Sequence, residues 1–387
     1  MIVIMQENRS FDNLFNGFRR ADTVKVASDH GTRVGLVPRG LTDNADPLHG
    51  HIAFWKAWDY GKMDGFAYDD PHSFSYVPQA QTRPIWELAQ RFVLGDRMFQ
   101  SNTGPSFVAH QYMIAGQSED ADENPVDPDL LSSNKWGCDA GEAASVAVIG
   151  PNGTNLPGPY PCFDYLTIAD LLDDKGVTWK YYSARPTTGG YIWSAFDAIQ
   201  HIRFSSDWTS KVITPETQVF TDIEKGALAQ VIWITPDWNF SDHGDATATD
   251  EGPSWVADIV NAVGASKYWN STAIFISWDD WGGWYDHVPP PQVDNMGLGF
   301  RVPLIVVSPY AKHGYVSHET HEFGSFLRFT EEIFDLPSLG TRDALSDDLR
   351  DCFDFNQQPQ GYEQIPTKYS ETFFINATPS SKPPDDD

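Results

Sequence analysis

The sequence is short of basic residues: 26 lysines and arginines stand against 54 aspartates and glutamates, which gives 387 residues a formal net charge of −28. A chain this acidic has little with which to neutralise a phosphate backbone, so nucleic acid is excluded as a predicted partner. The same charge disfavours electrostatic docking on anionic membranes. No run of about 18 apolar residues occurs, so no transmembrane helix is predicted.

Cysteine is also scarce. Only Cys138, Cys162 and Cys352 are present, and their spacing does not define a metal site. Cys138 and Cys162 flank a stretch rich in glycine, proline and asparagine, which a disulfide could close in an oxidising compartment. Three free thiols in a cytosolic protein fit this spacing nearly as well, so the residues alone leave both alternatives open.

What the chain does have is an apolar strand pattern that ends abruptly in polar residues. Residues 1–5 are typical of a buried strand, and Glu7 and Asn8 follow almost at once. A carboxylate beside an amide where a buried strand leaves its sheet is how α/β enzymes present metal or phosphate ligands. A strand end followed by an ordinary polar helix cap explains the same residues, and this segment taken alone favours that simpler interpretation.

A second segment of the same kind lies late in the chain and changes the balance. The apolar run 271–278 leads straight into Asp279 and Asp280, and glycines and tryptophans follow. A solvated acidic turn is the simpler alternative, but the tryptophans around the pair disfavour it, and buried adjacent carboxylates require a cation or a shared proton. With Glu7 and Asn8 they form an all-oxygen donor set. This set predicts one divalent metal ion, with Ca²⁺, Mg²⁺ or Mn²⁺ favoured and Zn²⁺ as an alternative.

Strand and helix patterns alternate along the chain, which predicts an α/β fold with a mostly parallel central sheet flanked by helices. Strand patterns lie at 2–5, 178–182, 230–235, 272–278 and 303–307, and helical patterns at 83–91, 166–175, 254–265 and 322–335. We predict a single domain over residues 1–378, with a loop-rich insertion at about 117–162. Residues 379–387 are too polar to pack and are predicted to form a disordered acidic tail.

Together the motifs resemble those of a known family. Glu-Asn-Arg-Ser-Phe-Asp at 7–12 and Asp-Trp-Gly-Gly-Trp-Tyr-Asp-His at 280–287 are similar to signatures of the bacterial phosphoesterase family. So are Gly-Lys-Met-Asp-Gly-Phe at 61–66 and Gly-Pro-Ser at 104–106, and the similarity runs in order from residue 2 to about residue 336. That family contains phospholipases C of the non-zinc kind and acid phosphatases, within the alkaline-phosphatase-like superfamily. The resemblance therefore implies an exported α/β enzyme that hydrolyses phosphoric esters.

The resemblance also implies roles for individual residues. Ser106 matches the family's nucleophile, and it precedes a helical pattern, where backbone N–H groups stabilise an anion. An ordinary helix cap is the alternative for this serine. His49, His243 and His287 match positions that line the site, where they would supply protons or bind phosphoryl oxygens. The role of His110, one helical turn beyond Ser106, is left open.

One departure from the phospholipase branch bears on the substrate. Where that branch has Asp-His-Thr-Ser, this chain has Glu322 followed by Phe323, so one histidine proton donor is missing and the role of Glu322 is open. The predicted substrate is a small phosphate ester or a phospholipid headgroup, with no choice made between monoesters and diesters. Four tryptophans could form a cation–π cage for choline or could equally belong to the core: Trp55, Trp58, Trp281 and Trp284.

Secretion or a periplasmic location is predicted from the resemblance, although no signal peptide precedes the first strand. In that setting Cys138 and Cys162, which bracket a loop, are predicted to form a disulfide, with Cys352 free. A non-catalytic, metal-stabilised binding protein on the same scaffold is the alternative function, which the joint presence of the serine, the carboxylates and the histidines disfavours. No oligomeric state is predicted. Three further loop histidines are interpreted as surface residues: His30, His201 and His313.

Overall fold

The computed structural model describes residues 1–128, 136–151, 153–245 and 248–381. Within these ranges, the centre of the fold is an eight-stranded sheet, whose strands are numbered here in chain order. They are β1 (Ile2–Gln6), β2 (Val93–Gly95), β3 (Trp179–Tyr182), β4 (Val212–Ile213), β5 (Val231–Ile234), β6 (Ile274–Trp278), β7 (Leu304–Val307) and β8 (Tyr315–Ser317).

The order of the strands in space is β4-β3-β5-β1-β6-β7-β2-β8. Strand β7 runs antiparallel to both of its neighbours, and all other neighbouring pairs are parallel. The predicted mostly parallel sheet is therefore confirmed. The five predicted strands are all present with ends shifted by no more than two residues, whereas the short strands β2, β4 and β8 were not predicted.

Helices flank the sheet in two groups. The α-helices of the described ranges are α1 (Phe11–Phe15), α2 (His51–Trp58), α3 (Arg83–Arg91), α4 (Ser106–Ala115), α5 (Ile168–Lys175), α6 (Gln200–Arg203), α7 (Ser206–Lys211), α8 (Gln218–Glu224), α9 (Gly252–Gly264), α10 (Phe323–Phe334) and α11 (Glu371–Asn376). Helices α3, α8 and α11 contact α9, while α5 and α10 contact α4. In the described part of the chain, no helix combines the length and the apolar character needed to cross a bilayer.

Short two-stranded pairs lie outside the main sheet. They are Val26–Asp29 with Thr32–Gly35, Val37–Pro38 with Ser75–Tyr76, Met98–Phe99 with His321–Glu322, and Val148–Ile149 with Asn155–Leu156.

The central strands β1 and β6 are apolar except for Gln6 and Ser277, because both faces of the sheet are covered. Every residue of β1 is at most 3% exposed, and those of β6 are equally buried. Burial of one such large apolar side chain stabilises the fold by about 1.5–3 kcal/mol. Polar side chains that follow these strands therefore leave the sheet inside the protein and not at its surface.

Helix α4 is buried from end to end. It begins at Ser106, directly after Pro105, and it ends at Gly116, whose φ of +63° lets its N–H turn back to the carbonyl of Tyr112 at 2.9 Å. The helix is thus held inside the molecule, and its first residue is placed by the packing of all the others.

The predicted disulfide between Cys138 and Cys162 is present, with a Cα–Cα distance of 4.6 Å, and Cys352 is a buried free cysteine. The described residues of the segment 117–162 contain short strands and one 3-10 turn but no α-helix. Treating this segment as an insertion into one domain stays a prediction.

The predicted acidic tail lies largely outside the described residues, which end at position 381. At its start, Ser380 is 6% exposed, and its N–H donates to the carboxylate of Asp237 at 3.1 Å. Packing against the domain therefore continues at least to this serine, beyond the start of the predicted tail.

We expect Glu216 to make stability depend on pH. Burial, followed by the charge of Asp237, raises the pKa of Glu216 to about 8. Between pH 4.5, the ordinary pKa of a glutamate, and about pH 8, this carboxyl group is ionised in the unfolded chain but still protonated in the folded protein. Its contribution to the free energy of unfolding is therefore full at low pH and falls as pH rises through this range. Glu216→Gln should therefore gain stability over the wild type from pH 5 to pH 8, by at most about 1.4 kcal/mol per pH unit. Urea unfolding at several pH values measures the difference, and a constant difference would contradict the assignment.

Candidate active site

The site begins where β1 and β6 end. The two strands are parallel neighbours with Gln6 opposite Trp278, and the N–H of Asp279 donates to the carbonyl of Gln6 at 2.9 Å. Glu7 and Asn8 therefore leave the sheet beside Asp279 and its neighbour Asp280, as the sequence predicted.

These acidic side chains are completely buried. Glu7, Asp279 and Asp280 are each 0% exposed. Burial, and next the charge of Asp279, raises the pKa of both Glu7 and Asp280 above the usual values. Among the described residues, Oε2 of Glu7 and Oδ2 of Asp279 have no hydrogen-bond partner. Buried carboxylate oxygens without partners are costly, and either protons or a divalent cation would satisfy them.

His110 lies against the same carboxylates. Its Nε2 is 3.2 Å from Oε1 of Glu7 and 3.8 Å from Oδ2 of Asp279. Burial lowers the pKa of His110 to about 4, so the imidazole is neutral at ordinary pH and offers a nitrogen lone pair. Ligand atoms of Glu7, His110 and Asp279 lie within 4.8 Å of one another. The one signal in the sequence was the spacing of four residues between His110 and Ser106 on one helix.

Asn8 joins the carboxylates to two histidines. Its backbone takes the left-handed conformation (φ 59°), and its N–H donates to Oδ1 of Asp279 at 2.9 Å. Its side-chain Nδ2 lies 2.8 Å from Nε2 of His49 and 3.1 Å from Nε2 of His243. A left-handed non-glycine residue at such a site is a mark of strain that the surrounding contacts hold in place.

The protonation of the two histidines follows from their other nitrogens. Nδ1 of His49 is 3.0 Å from the carbonyl of Pro47, and Nδ1 of His243 is 3.0 Å from the carbonyl of Gly244. Because a carbonyl oxygen only accepts, both Nδ1 atoms carry protons, and in the neutral rings both Nε2 atoms accept from the Asn8 amide. Both rings therefore aim Nε2 at one spot.

Ser106 faces this cluster from the first turn of α4. Its Oγ donates to Oδ2 of Asp280 at 3.1 Å and lies 3.4 Å from Oδ1 of Asn8. The serine is 2% exposed. The structure thus brings together Ser106, two of the three predicted histidines and the predicted metal ligands: Glu7, Asn8, Asp279, Asp280, His49 and His243.

His287 belongs to a different polar network. Its Nδ1 donates to Asp12 at 2.6 Å and its Nε2 to Asp22 at 3.1 Å, while Arg301 pairs with Asp286 next to it. Burial alone would lower the pKa of His287, but the hydrogen bond and the charge of Asp12 raise it. Within the described residues no hydrogen bond joins His287 to Ser106, Glu7, Asp279 or Asp280, so these contacts do not support the predicted catalytic role.

The four tryptophans considered for a choline cage do not form one cage. Trp281 is 2% exposed and packs on phenylalanines of the core. Trp284 already faces a cation, since the guanidinium of Arg9 lies 4.8 Å from the ring centroid. Trp55 and Trp58 pack edge to face against each other in α2, with ring centroids 5.2 Å apart.

The residues that hold the starts of α4 and α2 were not predicted, because no pattern in the sequence marks them. Asn124 accepts the backbone N–H of Phe107 at 3.0 Å, which caps α4 next to Ser106. The neighbouring Glu123 accepts from Nδ2 of Asn155 at 2.7 Å and from the backbone of His51 at the start of α2. The segment predicted to be an insertion therefore contacts the starts of both α4 and α2.

A serine at a helix start beside a buried cluster of oxygen ligands, at the carboxyl edge of a parallel sheet, is an arrangement of α/β enzymes. The chain belongs to the Phosphoesterase family, whose model matches residues 1–337. By family it is a phosphoesterase, and the resemblance identified in the sequence is confirmed.

The relatives include several phospholipases C. Non-hemolytic phospholipase C of Pseudomonas aeruginosa is 23% identical over 457 residues, which cover 99% of this chain and 62% of that protein. Phospholipase C B of Mycobacterium tuberculosis is 24% identical over 93% of this chain and 78% of that protein. This chain therefore spans about three fifths of the length of the first relative and about three quarters of the second.

Solved structures resemble the chain only weakly. A protein of the alkaline phosphatase superfamily from Vibrio parahaemolyticus is 13% identical, with a TM-score of 0.39 over 67% of this chain and 63% of that one. The lipoteichoic acid synthase LtaP of Listeria monocytogenes is 7% identical, with a TM-score of 0.40 over 90% and 74%. Similarities at this level support no conclusion about this chain.

Gly282 should be essential to the geometry of the site. It has a φ of +58°, and a Cβ there would lie 2.1 Å from the carbonyl oxygen of Asn8. Gly282→Ala should displace Asn8, lower turnover by on the order of tenfold or more, and destabilise the fold by about 1–3 kcal/mol. Gly176→Ala is the matched control, because Gly176 has a φ of +73° with nothing within 4 Å of a Cβ. The control should cost about 1 kcal/mol and leave turnover unchanged; equal turnover in the two variants would refute the role of Gly282.

Proposed function

We propose that the chain hydrolyses phosphoric ester bonds through two displacements, with Ser106 as the nucleophile. The observation that supports this most directly is the place of the serine hydroxyl, 3.1 Å from Asp280 and 3.4 Å from Asn8. In the first displacement a bond forms between Oγ and phosphorus while the ester bond breaks and the alcohol leaves. In the second, water attacks phosphorus, and Ser106 is regenerated as the phosphoryl group is released.

Asp280 is the group that would take the serine proton. Its Oδ2 already accepts the hydrogen bond from Ser106, and its Oδ1 accepts the N–H of Gly282 at 2.7 Å, which fixes the orientation of the carboxylate.

A divalent cation fits the buried cluster, because oxygens of Glu7 and Asp279 lack other partners among the described residues. Its ligands would come from Glu7, Asn8, Asp279 and Asp280, with His110 as a nitrogen donor. An ion held there would supply positive charge beside the serine hydroxyl and the phosphoryl oxygens. The imidazole shifts the preference among the ions predicted from sequence towards Mn²⁺ and Zn²⁺.

His49 and His243 would handle the proton of the leaving group. Both aim Nε2 at the Asn8 amide beside Ser106, with Nδ1 held on a backbone carbonyl. A proton gained at Nε2 can be donated to the ester oxygen as it leaves, which is general-acid catalysis. Fixed Nδ1 bonds keep the rings oriented in both protonation states.

Two observations favour small phosphate esters over phospholipids as substrates. Glu322, which stands at the acidic position of the phospholipase motif, forms a buried ion pair with Arg342 and so does not replace the missing proton donor. The tryptophans predicted for choline recognition are divided between core packing and the contact with Arg9.

Export is part of the same proposal, and the disulfide supports it because such bonds persist in oxidising compartments.

Ser106→Ala should abolish hydrolysis. Losing a covalent nucleophile lowers turnover by on the order of 10³-fold or more, while removal of one oxygen leaves the fold and metal binding intact. Ser205→Ala is the matched control, because Ser205 caps α7 through the N–H of Asp207 at 3.1 Å. The control should lose about 1 kcal/mol of stability and no turnover. Near-wild-type turnover in Ser106→Ala would rule out the phosphoserine and leave a metal-bound water as the nucleophile.

Removal of the metal should abolish hydrolysis, and adding the metal back should restore it. After chelation, turnover of phosphomonoesters, phosphocholine diesters and phosphatidylcholine should fall to background, since the positive charge beside the serine hydroxyl and the phosphoryl oxygens is then lost. Mn²⁺ or Zn²⁺ should restore activity better than Ca²⁺, with phosphomonoesters and phosphocholine diesters turned over faster than phosphatidylcholine. Full turnover in chains shown by elemental analysis to be metal-free would contradict the metal site without touching the role of Ser106.

A further inference from the structure

A second cluster of metal-ligating side chains lies outside the candidate active site. The hairpin formed by Val26–Asp29 and Thr32–Gly35 carries His30 at its tip, and the turn after α2 carries Asp59 and Asp64. Ligand atoms of these three side chains lie within 4.8 Å of one another. The tip is already docked on the turn, because the N–H of His30 donates to the carbonyl of Asp64 at 2.9 Å.

Asp64 distinguishes this cluster from an ordinary group of surface charges. The residue is only 7% exposed, and its Oδ1 is buried without a hydrogen-bond partner among the described residues. A buried carboxylate oxygen normally has a partner, and an unpaired one costs free energy. The exposed imidazole of His30 and the half-buried carboxylate of Asp59 are the ligand groups beside it.

We propose that His30, Asp59 and Asp64 form a second divalent-metal site, separate from the catalytic cluster, which binds a borderline ion such as Zn²⁺. One imidazole nitrogen and two carboxylate oxygens are a donor set that suits zinc better than Mg²⁺ or Ca²⁺. The motif at 61–66, which has no other role in the site, then supplies a ligand through Asp64.

Lys62 competes with such an ion but does not block it. Its Nζ lies 2.7 Å from Oδ2 of Asp59, and its side chain is 62% exposed. An exposed ion pair of this kind contributes only about 0–1 kcal/mol, so a divalent cation with two further ligands displaces the ammonium group readily.

The ion would hold the hairpin on the turn after α2, next to a buried cluster that contains Trp281. Ala27 of the hairpin and Met63 of the turn belong to one buried cluster with Phe66, Trp281 and Tyr285. Trp281 follows the catalytic carboxylates directly in sequence. A metal at the edge of this cluster therefore stabilises the packing of the aromatic residues around Trp281 without entering the reaction.

The test is a count of bound zinc in the full chain after equilibration with Zn²⁺ and dialysis, combined with the effect of Zn²⁺ on the melting temperature. His30→Ala removes an exposed side chain and Asp64→Asn keeps the shape of its own, so both variants should fold. Each should hold one zinc equivalent fewer than the wild type, with Zn²⁺ affinity at this site weakened tenfold or more. Each should also lose the part of the thermal shift that this site contributes. His313→Ala is the matched control, because His313 is exposed and belongs to no such cluster among the described residues.

Unchanged zinc content in His30→Ala and Asp64→Asn would overturn the proposal, and so would an equal loss in His313→Ala. Lys62→Ala provides an independent check: removal of the competing ammonium group should strengthen Zn²⁺ binding, and unchanged binding would contradict Asp59 as a ligand. Glu7→Gln should remove a different zinc equivalent, so a failure here is distinguishable from a failure of the catalytic metal site.

Discussion

The site depends above all on the register between β1 and β6. With Gln6 opposite Trp278, the two strands end at the same level, and the next residues of each enter the same buried space. A shift by one residue would turn every side chain of a strand to the other face of the sheet. Glu7 would then no longer meet Asp279. Because both strands are apolar and covered on both sides, the hydrophobic core enforces the register that the polar site requires.

That arrangement gathers negative charge where the protein is least able to solvate it. Backbone N–H groups offset part of the cost: Asn8 donates to Asp279, and Gly282 donates to Asp280. These bonds require unusual backbone, left-handed at both Asn8 and Gly282. The remaining oxygens without partners leave the cluster incomplete without a cation or protons. The left-handed backbone and the oxygens without partners therefore have one common cause, the convergence of three carboxylates in the buried interior.

The elements that were predicted from the sequence are those with long apolar runs or a sustained helical periodicity. Strands β1 and β6 could be located because a strand buried on both faces is a continuous apolar run. The helices could be located because their apolar residues recur with the helical period. Strand β4 has two residues and carries no such signal, and the reversed direction of β7 depends on how the chain returns after residue 279. For the site, the strand ends predicted that Glu7 and Asn8 lie beside Asp279 and Asp280, and the structure has them there. The catalytic role of His287 stays a prediction: after the turn at Gly282 and Gly283, both with positive φ, its ring nitrogens bond to Asp12 and Asp22 and not to Asp280.

Contacts between distant segments explain what sequence could not supply. Ser106 is held from two directions: α4 is packed along its length, and Asn124, from the segment predicted as an insertion, caps its first turn through Phe107. The same segment reaches α2 through Glu123. Neither contact could be predicted from the sequence, because nothing around Asn124 or Glu123 in the chain distinguishes it from other polar loop residues. The sheet thus places the carboxylates, while the loop segment places the helix that carries the serine, and only their joint packing brings the hydroxyl to Asp280.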